Sequence, residues 1–244
     1  RPRNEPYVHM KNCVAALISA FQAYDDVDIK KDCLFGVSEY CKTNLLIYFT
    51  DEKFMNSLRQ FYQFVYQQKV EYSEMKVQIS AIHKIIGNIT NGDDFDTDKI
   101  IDQGYLKDLC IMLCVDDDMC KREICWILSN IAAGTENQIG SLLNEPNLFD
   151  NLVNLLYKSK KEIQREALWV ICNMTKKCNK DQLNYLIQNN IFGVFKSFLG
   201  LNEDMKMIVL ILEAIPNMLN RSIDENSPKD VQSPLIDVMY DCGI

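Results

Sequence analysis

Histidine is scarce: His9 and His83 are the two in 244 residues, and neither sits beside a recognisable nucleophile or ligand set. Triad chemistry and a histidine-rich metal site therefore have little to build on. The ten cysteines never form a Cys-x-x-Cys pair, which removes the zinc-ribbon and dithiol-redox patterns. Many of them fall at apolar positions of predicted helices, so buried free thiols are expected, compatible with a reducing, intracellular compartment. No apolar run approaches the ~20 residues needed to span a bilayer, and Arg1-Pro2-Arg3-Asn4-Glu5-Pro6 does not read as a signal-peptide core. A soluble chain with no membrane partner is the expectation. Basic residues are in deficit, 26 against 34 acidic ones, for a formal net charge of −8. That balance argues against direct nucleic-acid binding and favours a basic ligand. No cofactor, no metal and no catalytic residue are expected, and the chain reads as a non-enzyme.

What is present is a core and a repeat. A hydrophobic content of 48% is enough for a substantial core, in one or two compact domains or one elongated array. The stretch Glu123-Ile124-Cys125-Trp126-Ile127-Leu128-Ser129-Asn130 returns 43 residues later as Glu166-Ala167-Leu168-Trp169-Val170-Ile171-Cys172-Asn173. On a helix, positions i, i+3 and i+7 share a face, so Glu123, Trp126 and Asn130 form one stripe and Glu166, Trp169 and Asn173 another. Ile124, Ile127, Leu128 and Ile131 are left to face a core. A helical Trp taken singly is usually core, and an Asn near a helix end is usually a cap. Repetition at one period favours a shared surface instead.

In chain order, the apolar run Val14 to Phe21, the turn-like Asp25-Asp26 and a helical pattern through Asp32 to Cys41 read as two helices. Phe54 to Tyr66 and Glu74 to Thr90 read as two more, joined by the polar Gln67 to Ser73 and stopped by Asn91-Gly92-Asp93-Asp94. Leu106/Leu109/Met112/Leu113, Phe149/Leu152/Leu155/Leu156 and Phe192/Phe195/Phe198/Leu199 then begin 43 residues apart. Each precedes a short polar segment and a longer helix expected to end at Asn130, Asn173 or Asn217, with Asn88 closing the copy before. Ser222 to Lys229 is polar, and Ser233-Pro234 opens a last helix that stops at Gly243-Ile244. Repeats are expected at about 1–50, 51–97, 98–140, 141–184 and 185–225, with a further one beginning at 226–244. Segments too small to bury their own faces gain a core by stacking.

These residues carry a family resemblance. The chain resembles the C-terminal half of importin-α (karyopherin-α), most specifically through Glu123 to Asn137 and Glu166 to Thr175, with support from Gly87 to Asp94 and from Leu212 to Asn217. The resemblance implies an all-α, right-handed armadillo-repeat superhelical solenoid. Each repeat would have a short first helix and two longer ones, the third helices lining a concave groove that binds nuclear localisation signals. It implies a nuclear import adaptor of the cytoplasm and nucleus, working in its full-length form with importin-β and the importin-α export receptor. It also implies that this chain is a fragment, whose cut ends would give self-association or modest stability.

The resemblance assigns Asn88, Thr90, Asp94, Ser129, Asn130 and Asn173 to a minor signal-binding site. Side-chain chemistry says how such a groove would work. Asn amides offer a donor and an acceptor to an extended backbone, and Asn217 continues that series. Trp126 and Trp169 would sandwich lysine or arginine stems at about 0.5–2 kcal/mol per contact. Glu123, Glu166 and Asp94 would accept the cationic heads, with Glu213 beside Asn217 completing the set. Glu123 and Glu166 could instead be solvated or paired with Arg122 and Arg165. Phe35 and Glu39 stand where the family shows Trp and an aromatic residue, Lys84 stands for its Arg, and Pro216 interrupts a helical pattern. The alternative reading is an armadillo scaffold binding other protein partners.

Overall fold

The computed structural model describes residues 5–41, 46–68, 72–200, 204–223 and 233–244, and among these every regular element is a helix. The chain divides into two compact units, 1–127 and 128–244.

In the first unit, α1 (Glu5–Ala23) and α2 (Val27–Tyr40) are the expected opening pair. Asp26 caps α2, its side chain accepting from the backbone N–H groups of Asp28 and Ile29. The short α3 (Leu46–Phe49) precedes α4 (Glu52–Gln67) and α5 (Tyr72–Thr90), both longer than their apolar pattern suggests. Gln67 and Tyr72 thus belong to helices, and residues 69–71 of the expected polar connection lie outside the described residues. After Asn91-Gly92 come α6 (Asp94–Asp102), α7 (Tyr105–Leu113) and the start of α8 (Asp118–Ala132). Phe21 packs edge-on against Phe54 and Phe61 at 5.7 and 5.6 Å, fastening α1 to α4. The α4–α7 joint is polar at its centre. Buried Asp108 accepts from Arg59 Nε at 2.5 Å, Tyr66 Oη at 2.7 Å and Gln63 Nε2 at 3.1 Å.

The second unit holds the end of α8, then α9 (Glu136–Asn144), α10 (Leu148–Lys158), α11 (Lys161–Lys177), α12 (Lys180–Gln188), α13 (Ile191–Ser197), α14 (Met205–Ser222) and α15 (Leu235–Cys242). Capping boxes Thr135/Gln138 and Asn179/Gln182 start α9 and α12. Leu148, Leu152, Leu156, Ile163, Ala167, Leu168 and Ile171, all buried, fill the α10–α11 core. Residues 224–232, which include most of the expected polar tail, lie outside the described residues, as do 1–4 and 201–203. The last helix runs as expected, ending at Gly243 with φ 75°.

A second periodic mark was not read from the sequence. Gly104 (φ 78°), Asn147 (φ 62°) and Asn190 (φ 60°) each precede the second helix of a triplet, at 43-residue intervals. That tight corner needs the left-handed backbone, which Gly and Asn tolerate best.

Two expectations are corrected. The long helices do not stop at their Asn residues: α5, α8, α11 and α14 continue to Thr90, Ala132, Lys177 and Ser222. Nor are the second helices long after α5, although α4 before it has 16 residues. The triplets from α6 to α14 run 9, 9 and 15, then 9, 11 and 17, then 9, 7 and 18 residues, so in these the third helix alone is extended.

Candidate functional site

The predicted site residues fall mainly on third helices, and each unit presents its own face. In the first unit, α2, α5 and the first turn of α8 enclose a cleft of about 330 Å³ floored by Phe35, Val77, Ala81 and Met119. Its walls are ion pairs. Lys84 Nζ lies 2.6 Å from Glu39 Oε1, and Lys76 Nζ lies 2.8 Å from Asp117 Oδ2. Partial burial works to raise the Asp117 carboxyl, but the Lys76 hydrogen bond and the N–H groups of Cys120 and Met119 outweigh it and hold it below the usual carboxylate range.

Glu123 has a different task from the expected one. Its Oε1 accepts from Ser80 Oγ at 2.5 Å, and its Oε2 lies 3.0 Å from Nδ1 of the fully buried His83. A carboxylate only accepts, so Nδ1 of His83 carries a proton, and its Nε2 lies 2.6 Å from Tyr62 Oη. Burial keeps that phenol protonated by pushing its pKa well above the ordinary value. With 21% of its side chain exposed and both oxygens engaged, Glu123 ties α8 to α5 rather than waiting for a cation. It pairs with neither Arg122 nor solvent alone.

Trp126 is half-buried, and its indole lies on the backbone of α5: a Cβ built at Gly87 would stand 1.9 Å from Trp126 Cζ3. Thr90 is buried, its hydroxyl donating to Gly87 O at 3.1 Å, whereas Asp94 is exposed in the first turn of α6. Asn88 is half-exposed. Its amide donates to Lys84 O at 2.6 Å and to Cys41 Sγ at 3.3 Å, which leaves Oδ1 as its open group.

The second unit keeps a more open face. Trp169 on α11 is 45% exposed. Glu166 is partly exposed and Glu213 on α14 exposed, and neither side chain has an ion pair or hydrogen bond among the described residues. Arg165 turns instead to Asp204, at 2.8 Å. Asn217 donates one amide hydrogen to Glu213 O at 3.0 Å and retains its second hydrogen and Oδ1. Asn130 is half-exposed on α8. Asn173 departs from the expected ladder, being 5% exposed, with Nδ2 donating to Ser129 O at 3.1 Å and Oδ1 accepting from Lys176 Nζ at 2.8 Å. Ser129 is buried with it. These two bind α8 to α11 from within, because a buried amide must satisfy itself on whatever carbonyl is nearest. Pro216 lies inside α14 without ending it.

Seven of the ten cysteines are buried free thiols, as expected, but Cys13 and Cys114 are exposed and Cys242 intermediate. Burial raises the Cys120 thiol to about 12 and the Cys178 thiol to about 11, which makes both poor nucleophiles. Among the described residues no helix is long and apolar enough to cross a membrane.

An armadillo/beta-catenin-like repeat model matches residues 142–176, which hold the end of α9, all of α10 and all but the last residue of α11. Importin subunit alpha-1 of Caenorhabditis elegans is 27% identical over 146 residues, 58% of this chain and 27% of that protein. Importin subunit alpha-5 of Arabidopsis thaliana is 32% identical over 111 residues, covering 46% of this chain and 21% of its own length. Importin subunit alpha-8 of the same plant is 31% identical over 147 residues, 60% and 33% respectively. The chain thus spans between about a fifth and a third of these curated relatives. Among solved structures, a designed armadillo repeat protein matches with TM-score 0.74 and 19% identity, over 96% of this chain and 88% of that one. Another, solved in complex with the peptide (KR)4, matches with TM-score 0.68 and 19% identity, over 83% and 80%. The fold is all-α, of armadillo-repeat type.

Proposed function

We infer, from this chain's being an armadillo-repeat protein of importin-α type, that its function is that of a nuclear-import adaptor, capturing lysine- and arginine-rich signal segments of cargo proteins on its third helices. It is an adaptor, not an enzyme. The observation that carries the reading is the open face of the second unit: Trp169 half-exposed, Glu166 and Glu213 without cationic partners, and Asn217 with amide groups to spare. An indole attracts a cation over its face, a carboxylate accepts the ammonium or guanidinium, and an amide holds the peptide backbone whatever its sequence. A designed protein of the same fold holds (KR)4, so the architecture is suited to such a ligand. Asn88, Asn130, Trp126 and Asp94 extend the recognition elements. Thr90, Ser129, Asn173 and Glu123 support them from beneath.

Shuttling between cytoplasm and nucleus, with importin-β and an export receptor as further partners, follows from the same reading. So does salt dependence, because exposed charges are screened beyond about 8 Å at physiological ionic strength. Fluorescence anisotropy of a labelled lysine/arginine-rich peptide over a salt series tests it. Saturable binding that weakens with salt and is lost in a Lys-to-Ala peptide supports the adaptor. Absence of binding at low salt refutes it.

A second reading, an armadillo scaffold for other proteins, draws on the first unit. There Ala81 and Lys84 occupy the places that Glu and Trp hold in later copies, and an apolar cleft edged by lysines is not a cation site.

A further inference from the structure

We propose that the first unit carries a second ligand site, a cleft between α2, α4 and α5 that takes the guanidinium of an arginine side chain presented by a partner protein. It shares no residue with the faces described above and does not depend on the basic-signal reading.

The cleft is built where this copy departs from the repeat. Helix α5 begins a full turn earlier relative to Asn88 than α8, α11 and α14 begin relative to Asn130, Asn173 and Asn217. The α4 helix before it has 16 residues, against 9, 11 and 7 in α7, α10 and α13. The added turn of α5 carries Glu74 and Met75, and together with the end of α4 it encloses a cleft of about 230 Å³ against the start of α2. Pockets for drug-sized ligands run to roughly 300–1,000 Å³, so this one has room for a single side chain. Each helix gives a pair spaced i, i+4, whose members share a face. Val27 and Lys31 come from α2, Phe64 and Gln68 from α4 and its C-cap, and Glu74 and Gln78 from α5.

The lining defines the occupant. Glu74 is exposed, with neither an ion pair nor a hydrogen bond among the described residues. Gln78 Oε1 is buried and has no hydrogen-bond partner among them either. A buried acceptor left without a donor costs free energy, and with no hydrogen bond holding the amide, rotation of the side chain turns that oxygen to the cleft. Phe64, 44% exposed and stacked on Phe61 at 6.1 Å, supplies an aromatic wall, with Val65 and Met75 beside it. A carboxylate, an orphan amide oxygen and an aromatic ring suit a cation with several N–H donors and an apolar stem. The cleft's own cation does not meet that need, because Lys31 Nζ is held 3.2 Å from Asp28 Oδ1. Guanidinium is favoured over ammonium because Glu74 and Gln78 stand about one turn apart. A planar fork of donors reaches two acceptors while stacking on a ring, whereas an ammonium acts as a point charge. The net charge of −8 favours the approach of a basic partner.

Titrating the 244-residue chain, labelled with carbon-13 at its methionine methyls, with acetyl-arginine amide tests this. The caps remove the backbone charges of the amino acid, so binding reports the side chain. The Met75 methyl, assigned by its loss in Met75→Leu, is expected to shift saturably in the millimolar range. Acetyl-lysine amide should bind about tenfold more weakly, and the neutral isostere acetyl-citrulline amide should leave the methyl unmoved. Glu74→Gln is expected to weaken arginine binding about tenfold. Gln78→Leu should weaken it at least as much with an unchanged or raised thermal midpoint, since a buried acceptor without a donor has gone. Both variants should keep the wild-type response of Trp169 to a lysine/arginine-rich peptide, which separates this cleft from the second unit's face. An unmoved Met75 methyl overturns the site. Equal affinity for the arginine and lysine amides overturns the guanidinium assignment, and shifts that survive both substitutions overturn the location.

Discussion

Replacing Gly87 by alanine tests whether Trp126 is seated on α5 as the structure describes. The new Cβ would meet three indole carbons, Cζ3, Cη2 and Cε3, at 1.9, 2.5 and 2.6 Å. Ordinary carbon contacts are about 3.5–4.0 Å, so the ring must retreat by more than an ångström or α5 must shift. Two effects of opposite sign follow. Alanine in a helix interior is favoured over glycine by about 1 kcal/mol, whereas overpacking of this kind costs about 1–3 kcal/mol. The expected net is a loss of about 0–2 kcal/mol together with a displaced indole. Since Trp126 and Trp169 are the two tryptophans, a Trp169→Phe background makes Trp126 the sole reporter. Urea unfolding gives the free energy, and the emission maximum gives the environment, expected to shift to the red as the ring leaves its seat. A gain of about 1 kcal/mol with unchanged emission would mean that Gly87 acts only through helix propensity, and the packing argument would be refuted.

The left-handed corners make a second prediction. Asn147→Ala and Asn190→Ala should each destabilise by about 1–2 kcal/mol, while the glycine variants stay near wild type, as thermal or urea unfolding would show. Removing the carboxylate of Asp108 leaves Arg59, Gln63 and Tyr66 without their shared acceptor, and Asp108→Ala should cost about 3 kcal/mol or more in urea unfolding. Glu123→Gln should weaken unfolding stability by about 1–3 kcal/mol yet change basic-peptide affinity less than twofold, the reverse of what a direct ligand contact would give. Acid sensitivity is worked from Asp117, whose folded pKa is depressed. Its stabilisation is complete above the ordinary carboxylate range and is lost as pH falls through the lower folded value. Asp117→Asn should therefore flatten the acid limb of a stability–pH profile and leave its neutral end parallel to wild type.

Much of the fold was legible because helix periodicity and a 43-residue return are local properties of the chain. Glu166, Trp169 and Asn217 lie on the helices expected of them for that reason. The corners at Gly104, Asn147 and Asn190 were equally periodic but hidden, since Gly and Asn are common in loops and only their φ angles separate a required corner from an ordinary turn. The helix ends were misplaced because an Asn whose amide donates to the carbonyl four residues back, as in Asn88 and Asn217, continues a helix rather than closing it. The assignment of Glu123 depended on a partner 40 residues away. Sequence spacing put an acid on the stripe, but only packing brings His83 and Ser80 within reach of both its oxygens. Asn173 and Ser129 likewise share the register of groove residues and are turned inward by a bond between helices.

The central claim, that the second unit holds a cationic side chain against Trp169, is tested most directly by titrating a lysine/arginine-rich peptide while following Trp169 emission in a Trp126→Phe background. A saturable change in Trp169 fluorescence, absent with the Lys-to-Ala peptide and weakened severalfold by Glu213→Gln, is the predicted result. Binding detected by anisotropy with no change in Trp169 emission, or no binding at low salt, would contradict the claim.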